Sequence, residues 1–250
     1  MQRRIRGILF DLGDTLLDFG KVNAPRLFEA GAKLAYARLR RLNQPMPPFW
    51  RYYRQQLWAI RWNYLRSRLT GREFCALDLM RRIGQEFGQQ LTDEQLLEQA
   101  WLWYRPLSRC ARVEEGLADL LADLRKNGMV LGVVSNTFIP APVLDRHLAQ
   151  VGLLEHLPVR IYSCVFGYRK PRREIFQEAC RQTGLRPCEI AFVGDSPRAD
   201  IYGAWRMGMW TALKDPAGRY DGRRTRADVR VRNVLELPEA LDRIGGNGKA

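Results

Sequence analysis

The run Ile8-Leu9-Phe10-Asp11-Leu12-Gly13-Asp14-Thr15 takes an apolar strand to a carboxylate and then into a turn. An acid at the tip of a buried strand is costly unless a cation or a reaction uses it. Asp11 is therefore a candidate nucleophile. A carboxylate can attack phosphorus and form an acyl phosphate, which splits one displacement into two easier steps. A purely metal-binding Asp11 is the alternative. Thr15, from the same turn, is a candidate phosphate ligand through its hydroxyl.

Beyond this strand, read as residues 4–10, more than a hundred residues carry helical periodicity and no clear strand. Leu27, Ala30, Leu34 and Ala37 share one face. Phe49, Tyr53, Leu57, Ile60 and Tyr64 share another, and Ala76, Met80, Ile83 and Phe87 a third. Thr92-Asp93-Glu94-Gln95 has the form of a capping box. Residues 18–108 are thus expected to form an all-α insertion between core segments 1–17 and 109–250. From about residue 113, helix and strand alternate. Strands are expected near 129–134, 160–165, 190–194, 209–213 and 228–232. Helices are expected near 117–127, 141–150, 172–183, 198–207 and 238–244, with a disordered tail from Gly245 to Ala250. Strands separated by single helices imply parallel pairing and right-handed crossovers. The fold class is α/β.

Sites in such sheets form beyond the carboxyl ends of the strands. Four of these ends carry polar groups: Asp11; Ser135 with Asn136; Lys170; and Asp195, with Asp200 close behind. Asp11, Asp195 and Asp200 offer hard oxygen ligands that suit Mg²⁺, although Asp200 also reads as an acid at a helix N-terminus. Ser135 and the N–H groups after it can hold a phosphoryl oxygen, or form a simple turn. Lys170 would set a positive charge against the nucleophile and the transferring group.

The composition narrows the setting. The 250 residues are 46% hydrophobic, enough for one sizeable core or a core with a smaller lobe. No apolar run reaches the roughly 18 residues of a membrane span. The apolar stretch after Arg3, Arg4 and Arg6 ends at Asp11, too soon for a signal segment. A cytoplasmic protein without a membrane partner is expected. Five cysteines and no Cys-x-x-Cys pair read as free thiols. The net charge of +14 fits either a solvated arginine-rich surface or attraction of anions, whether phosphorylated substrates or nucleic acid. Between Arg38 and Arg82 there are eleven basic residues and two acids, Glu73 and Asp78, interleaved with Trp50, Tyr52, Tyr53, Trp58, Trp62 and Tyr64. An aromatic helix core with arginines on the wet face accounts for this pattern. A surface that stacks single-stranded nucleic acid also accounts for it.

In order along the chain, the four strand ends resemble the haloacid dehalogenase-like (HAD) superfamily. Asp11-Leu12-Gly13-Asp14-Thr15 is similar to its first motif, Asp-x-Asp-x-Thr. Val134-Ser135-Asn136-Thr137 is similar to the second, Lys170-Pro171 before Ile175-Phe176 to the third, and Gly194-Asp195 with Asp200 to the fourth. The resemblance implies a Rossmann-like core, a mobile helical cap made by the insertion, and a Mg²⁺-dependent phosphatase of a small anionic phosphomonoester. It assigns catalysis to Asp11, Ser135 and Lys170, and phosphate binding to Thr15, Ser135, Asn136 and Lys170. It assigns metal binding to Asp11, Asp195 and the Gly13 backbone carbonyl, with Asp200 and Asp14 in support. The departure is Gly13, where family phosphatases carry the Asp that protonates the leaving group and activates water. Asp14 and Asp18 are the nearby substitutes. A dehalogenase, or a binding protein on a weakened HAD scaffold, are the competing readings.

Overall fold

All four residues of β1 (Gly7–Phe10) are buried, as a strand covered on both faces requires. The structure, a computed structural model, describes residues 5–246. The expected strand start at Arg4 and the tail beyond Gly246 lie outside them. Four helices follow β1: α1 (Ala24–Arg41), α2 (Phe49–Thr70), α3 (Ala76–Glu86) and α4 (Asp93–Ser108). Alternation then begins with α5 (Leu117–Lys126), β2 (Val130–Ser135), α6 (Ala141–Gln150), β3 (Val159–Tyr162) and the single turn α7 (Ser163–Phe166). It continues through α8 (Arg173–Thr183), β4 (Ile190–Gly194), α9 (Gly203–Trp205), β5 (Trp210–Lys214), β6 (Val229–Val231) and α10 (Leu237–Gly246).

The six strands form one sheet in the order β3-β2-β1-β4-β5-β6, and every pairing is parallel. The chain winds outward from β1 to β3 and then restarts at β4 on the other side of β1. The strand order therefore reverses beside β1, where open α/β sheets bind ligands.

The period-two alternation of a strand sorts the core into layers. Ile8, Phe10, Leu131 and Val133 pack with Leu117 and Leu121 of α5 and Leu144 and Leu148 of α6. Leu9, Val134 and Phe192 face the other way, onto Ile175 and Phe176 of α8 and Ala204 of α9. The first layer is continuous with the four-helix insertion through Ala32, Ala35, Tyr52, Trp101 and Trp103. The two crossings into and out of the insertion lie side by side, because Asp18 and Arg112 exchange both backbone hydrogen bonds.

Several elements depart from expectation. In α1, Ala32, Ala35 and Leu39 are buried, while Ala30 and Ala37 are exposed. Small side chains face α4 because the two helices approach closely there. In α2 the inward residues are Tyr52, Gln56, Ile60 and Ser67. Tyr64 is exposed, and so are Trp50, Trp58 and Trp62. This outer helix packs mainly against α1 and α3, and Tyr52 reaches across to Gln99 and Trp103 of α4, so the seam does not cover its aromatic band. The strand expected at 160–165 stops at Tyr162, where Ser163 starts a turn and accepts the N–H of Thr137. The helix expected at 198–207 is a wide π-type turn over Pro197–Tyr202, continued by α9. Asp200 and Ile201 both donate to the Ser196 carbonyl there. Such wide turns recur at functional sites. The Thr92–Gln95 capping box is present at α4 with both reciprocal hydrogen bonds. All five cysteines are free. No helix among the described residues is long and apolar enough to cross a membrane.

Candidate active site

The carboxyl ends of β1, β2 and β4 converge on a cleft of about 430 Å³, lined by Asp11, Gly13, Ser135, Lys170, Asp195 and Asp200 among others. Asp11 follows β1 directly, and its N–H donates to the Val193 carbonyl of the neighbouring strand (2.8 Å). The strand pairing thus continues one residue past β1 and holds the candidate nucleophile at the sheet edge.

Lys170 sits between two carboxylates. Its Nζ donates to Asp11 Oδ1 at 2.6 Å and lies 2.7 Å from Asp200 Oδ1. It also lies over the Phe192 ring, 5.3 Å from the centroid. Burial alone would lower its pKa, but Asp11 and Asp200 outweigh burial and hold the ammonium above its usual range. Its backbone is clamped by Asn136: the Lys170 N–H donates to Asn136 Oδ1 (2.7 Å), and Asn136 Nδ2 donates to the Lys170 carbonyl (3.0 Å). Asn136, expected to hold phosphate, therefore spends both arms of its amide on positioning Lys170.

Asp200 is buried, and its second oxygen accepts the Ser196 N–H at 3.0 Å. Asp195 lies beyond the end of β4. Oxygens of Asp11, Asp195 and Asp200 all fall within 4.8 Å of one another. Desolvation, then the neighbouring carboxylates Asp200, Asp11 and Asp14, push Asp195 up to about 7. Desolvation raises Asp200 to about 6 against the pull of Lys170. The cluster fits a divalent ion: three hard-oxygen carboxylates and one ammonium leave two negative charges in excess, and the raised carboxylates are those a cation would relieve.

The remaining residues of the first turn divide. Ser135, at the end of β2, lines the cleft. Thr15 does not line it: this residue is fully buried, and its hydroxyl has no hydrogen-bond partner. The phosphate contact expected of Thr15 is therefore corrected to a place inside the fold. Its carbonyl accepts from Lys214 Nζ at 2.7 Å, and Lys214 pairs with Glu114 at 2.7 Å. Asp14 lines the cleft from a left-handed backbone conformation (φ 57°), with one oxygen accepting the Phe19 N–H. Asp18 turns its side chain to the Gly20 N–H and is not part of the cleft. At Gly13 an added β-carbon would meet only Phe19 Cε2, at 3.8 Å. Neither space nor backbone conformation excludes a side chain there.

Three contributors carry no sequence signal of their own. Lys214 is one. The others are Glu73 and Arg169, a buried pair (3.3 Å) linking the insertion to the loop before Lys170. Glu73 also accepts from Ser163 Oγ, and Arg169 donates to Ser67 Oγ. Their partners are distant in sequence, so only the fold brings them together.

Comparison with known proteins shows the family. The chain is similar to a phosphoserine phosphatase of Thermus thermophilus, with 28% identity over 94% of this chain and 99% of that one. It is also similar to a glyceraldehyde 3-phosphate phosphatase of Pyrococcus furiosus, with 26% identity over 99% of this chain and 97% of the other. Among solved structures, a 2-haloacid dehalogenase from Pseudomonas syringae shares the fold, with a TM-score of 0.66 and 24% identity over 96% of this chain and 99% of that one. The family model for haloacid dehalogenase-like hydrolases matches residues 5–208, a span that holds every strand end converging on the cleft, and the chain belongs to that family.

Proposed function

We propose that the protein is a Mg²⁺-dependent phosphomonoesterase working through an aspartyl phosphate. The observation that carries this reading is the Asp11–Lys170–Asp200 ion chain with Asp195 beside it. Phosphatase relatives matched over nearly the whole chain support it. In this reading Asp11 attacks phosphorus through the oxygen that Lys170 does not hold, and the bond from phosphorus to the alcohol oxygen breaks. Lys170 balances charge on the nucleophile and the transferring group. Ser135 binds a phosphoryl oxygen. Gly13 supplies no acid, so the departing alkoxide takes its proton from water. Water then attacks the acyl phosphate, releasing phosphate and restoring Asp11. Asp11, Asp195 and the Gly13 carbonyl would hold Mg²⁺, with Asp200 behind them. When bound, the ion supplies positive charge that offsets repulsion between Asp11 and an anionic substrate. Residues 18–108 serve as the cap over this cleft.

The test is a panel of aryl, sugar and nucleotide phosphates, assayed with and without Mg²⁺, on the parent and on Asp11→Asn. Loss of a nucleophile costs roughly 10³-fold or more. Equal turnover by the variant would remove Asp11 as nucleophile.

A second reading concerns α2, whose 22 residues hold five arginines and no acid. Trp50, Trp58 and Trp62 are 59%, 68% and 57% exposed. Trp58 and Trp62 stack at 6.2 Å, and Arg54 lies over Trp50. Charge with exposed aromatic faces suits single-stranded nucleic acid. The check is anisotropy of labelled poly(U) at low and moderate salt. Binding should weaken with salt and with Trp58→Ala. An absence of binding at low salt would end this reading.

A further inference from the structure

Next to the cleft at Asp11 lies a second chamber of about 330 Å³, set between the insertion and the loop after β2. The two cavities share Tyr64, Tyr104, Leu107, Asn136, Thr137 and Ile139 as walls, so the chamber adjoins the cleft that holds Asp11. The remaining walls are dominated by Phe28, Ile60, Met80, Trp103 and Phe138.

Most polar groups on these walls already have partners. Glu73 is paired with Arg169 and accepts from Ser163. Asn136 is closed onto the Lys170 backbone. Thr137 Oγ1 accepts the Ile139 N–H at 3.0 Å. The Tyr104 hydroxyl meets His147 Nδ1 at 2.9 Å. A charged substrate group entering here would lose its water and meet two wall charges, Glu73 and Arg169, that already neutralise each other. An apolar group would lose nothing. The volume is about twice the ~150 Å³ cavity that takes up benzene, and sits at the lower end of small-ligand pockets.

We infer that the alcohol portion of the substrate is an uncharged, ring-sized apolar group that fills this chamber while the phosphate lies at Asp11. This inference rests on the phosphatase reading above and names the substrate class for that site. It sets this chain apart from an enzyme built for phosphoserine, whose ammonium and carboxylate would each need a partner.

The test compares benzyl phosphate with methyl phosphate, esters of alcohols of similar acidity, so that the missing acid at Gly13 weighs equally on both. Hydrophobic pockets discriminate by about 10- to 200-fold for small apolar increments. At least a ten-fold higher kcat/KM for benzyl phosphate is expected. Ala100→Phe, on the chamber wall, should bring that ratio down toward one; Leu27→Trp does the same from another wall should the first variant fold poorly. A parent ratio of one or less, or faster turnover of O-phosphoserine than of benzyl phosphate, overturns the inference and leaves the phosphatase reading standing. If none of the three esters is turned over, the phosphatase reading falls and calorimetry decides the chamber alone. Benzylphosphonate binding about ten-fold tighter than methylphosphonate then supports it, and equal affinities overturn it.

Discussion

The carboxylate of Asp200 lies directly against Gly194: a β-carbon at position 194 would stand 2.5 Å from Asp200 Cγ and 2.6 Å from its Oδ2. That oxygen accepts the Ser196 N–H, while Oδ1 faces Lys170. Gly194→Ala must therefore push Asp200 off both partners. Overpacking of this kind costs roughly 1–3 kcal/mol. A lower urea midpoint and at least a ten-fold loss of kcat are expected. Full activity in a folded Gly194→Ala protein would show that the position of Asp200 does not matter to turnover.

Gly13 invites the opposite experiment. A side chain there has room, with Phe19 Cε2 its nearest neighbour at 3.8 Å from an added β-carbon. Gly13→Asp should place a carboxyl group beside the leaving group. General acid–base help is worth roughly 10²–10⁴-fold, and poor leaving groups need it most. Alkyl phosphates should gain more than aryl phosphates, and the slope of log kcat/KM against leaving-group pKa should flatten. An unchanged slope would mean that the introduced carboxyl does not reach the leaving oxygen.

The two Gly positions also show what the sequence could and could not disclose. Parallel strands buried on both faces are near-continuous apolar runs ending at a polar residue, so β1, β2 and β4 and the groups at their tips were legible. Their convergence on one edge follows from the parallel pairing that single-helix crossovers impose. Asn136 and Thr15 read as phosphate ligands from their places in polar turns at strand ends. Their actual roles depend on a clamp to Lys170 and on burial beside Lys214, contacts spanning 34 and 199 residues. The inward faces of α1 and α2 differ from the periodicity expectation because the apolar band of each helix is wider than its seam. Which part of a band is covered depends on the neighbouring helices, not on the period.

Lys214 supports the first turn from inside the fold. Its buried ammonium joins the Thr15 carbonyl to Glu114, and Glu114 accepts the Val234 N–H with its other oxygen. Lys214→Met removes a hydrogen bond to a charged group, worth about 1.5–3 kcal/mol. A corresponding fall in stability is expected, together with reduced kcat, because the turn carrying Asp11 and Gly13 loses its brace. Stability equal to the parent would contradict the contact.

His147 makes the insertion sensitive to acid. It is buried on α6, with its Nδ1 2.9 Å from the Tyr104 hydroxyl of α4. Burial lowers its pKa below the usual 6.5, with the Ser108 backbone only partly opposing this. The unfolded chain therefore takes up the proton first as pH falls. Between the unfolded and folded values the unfolded state holds more protons, so stability is full above about pH 6.5 and declines as pH drops through the lower folded pKa. Urea midpoints measured from pH 7.5 to 5 should show this decline. His147→Gln, which keeps a group able to accept from Tyr104 but does not titrate, should lack that component. Parallel curves for the two proteins would mean that His147 does not link α4 to α6 in a pH-dependent way.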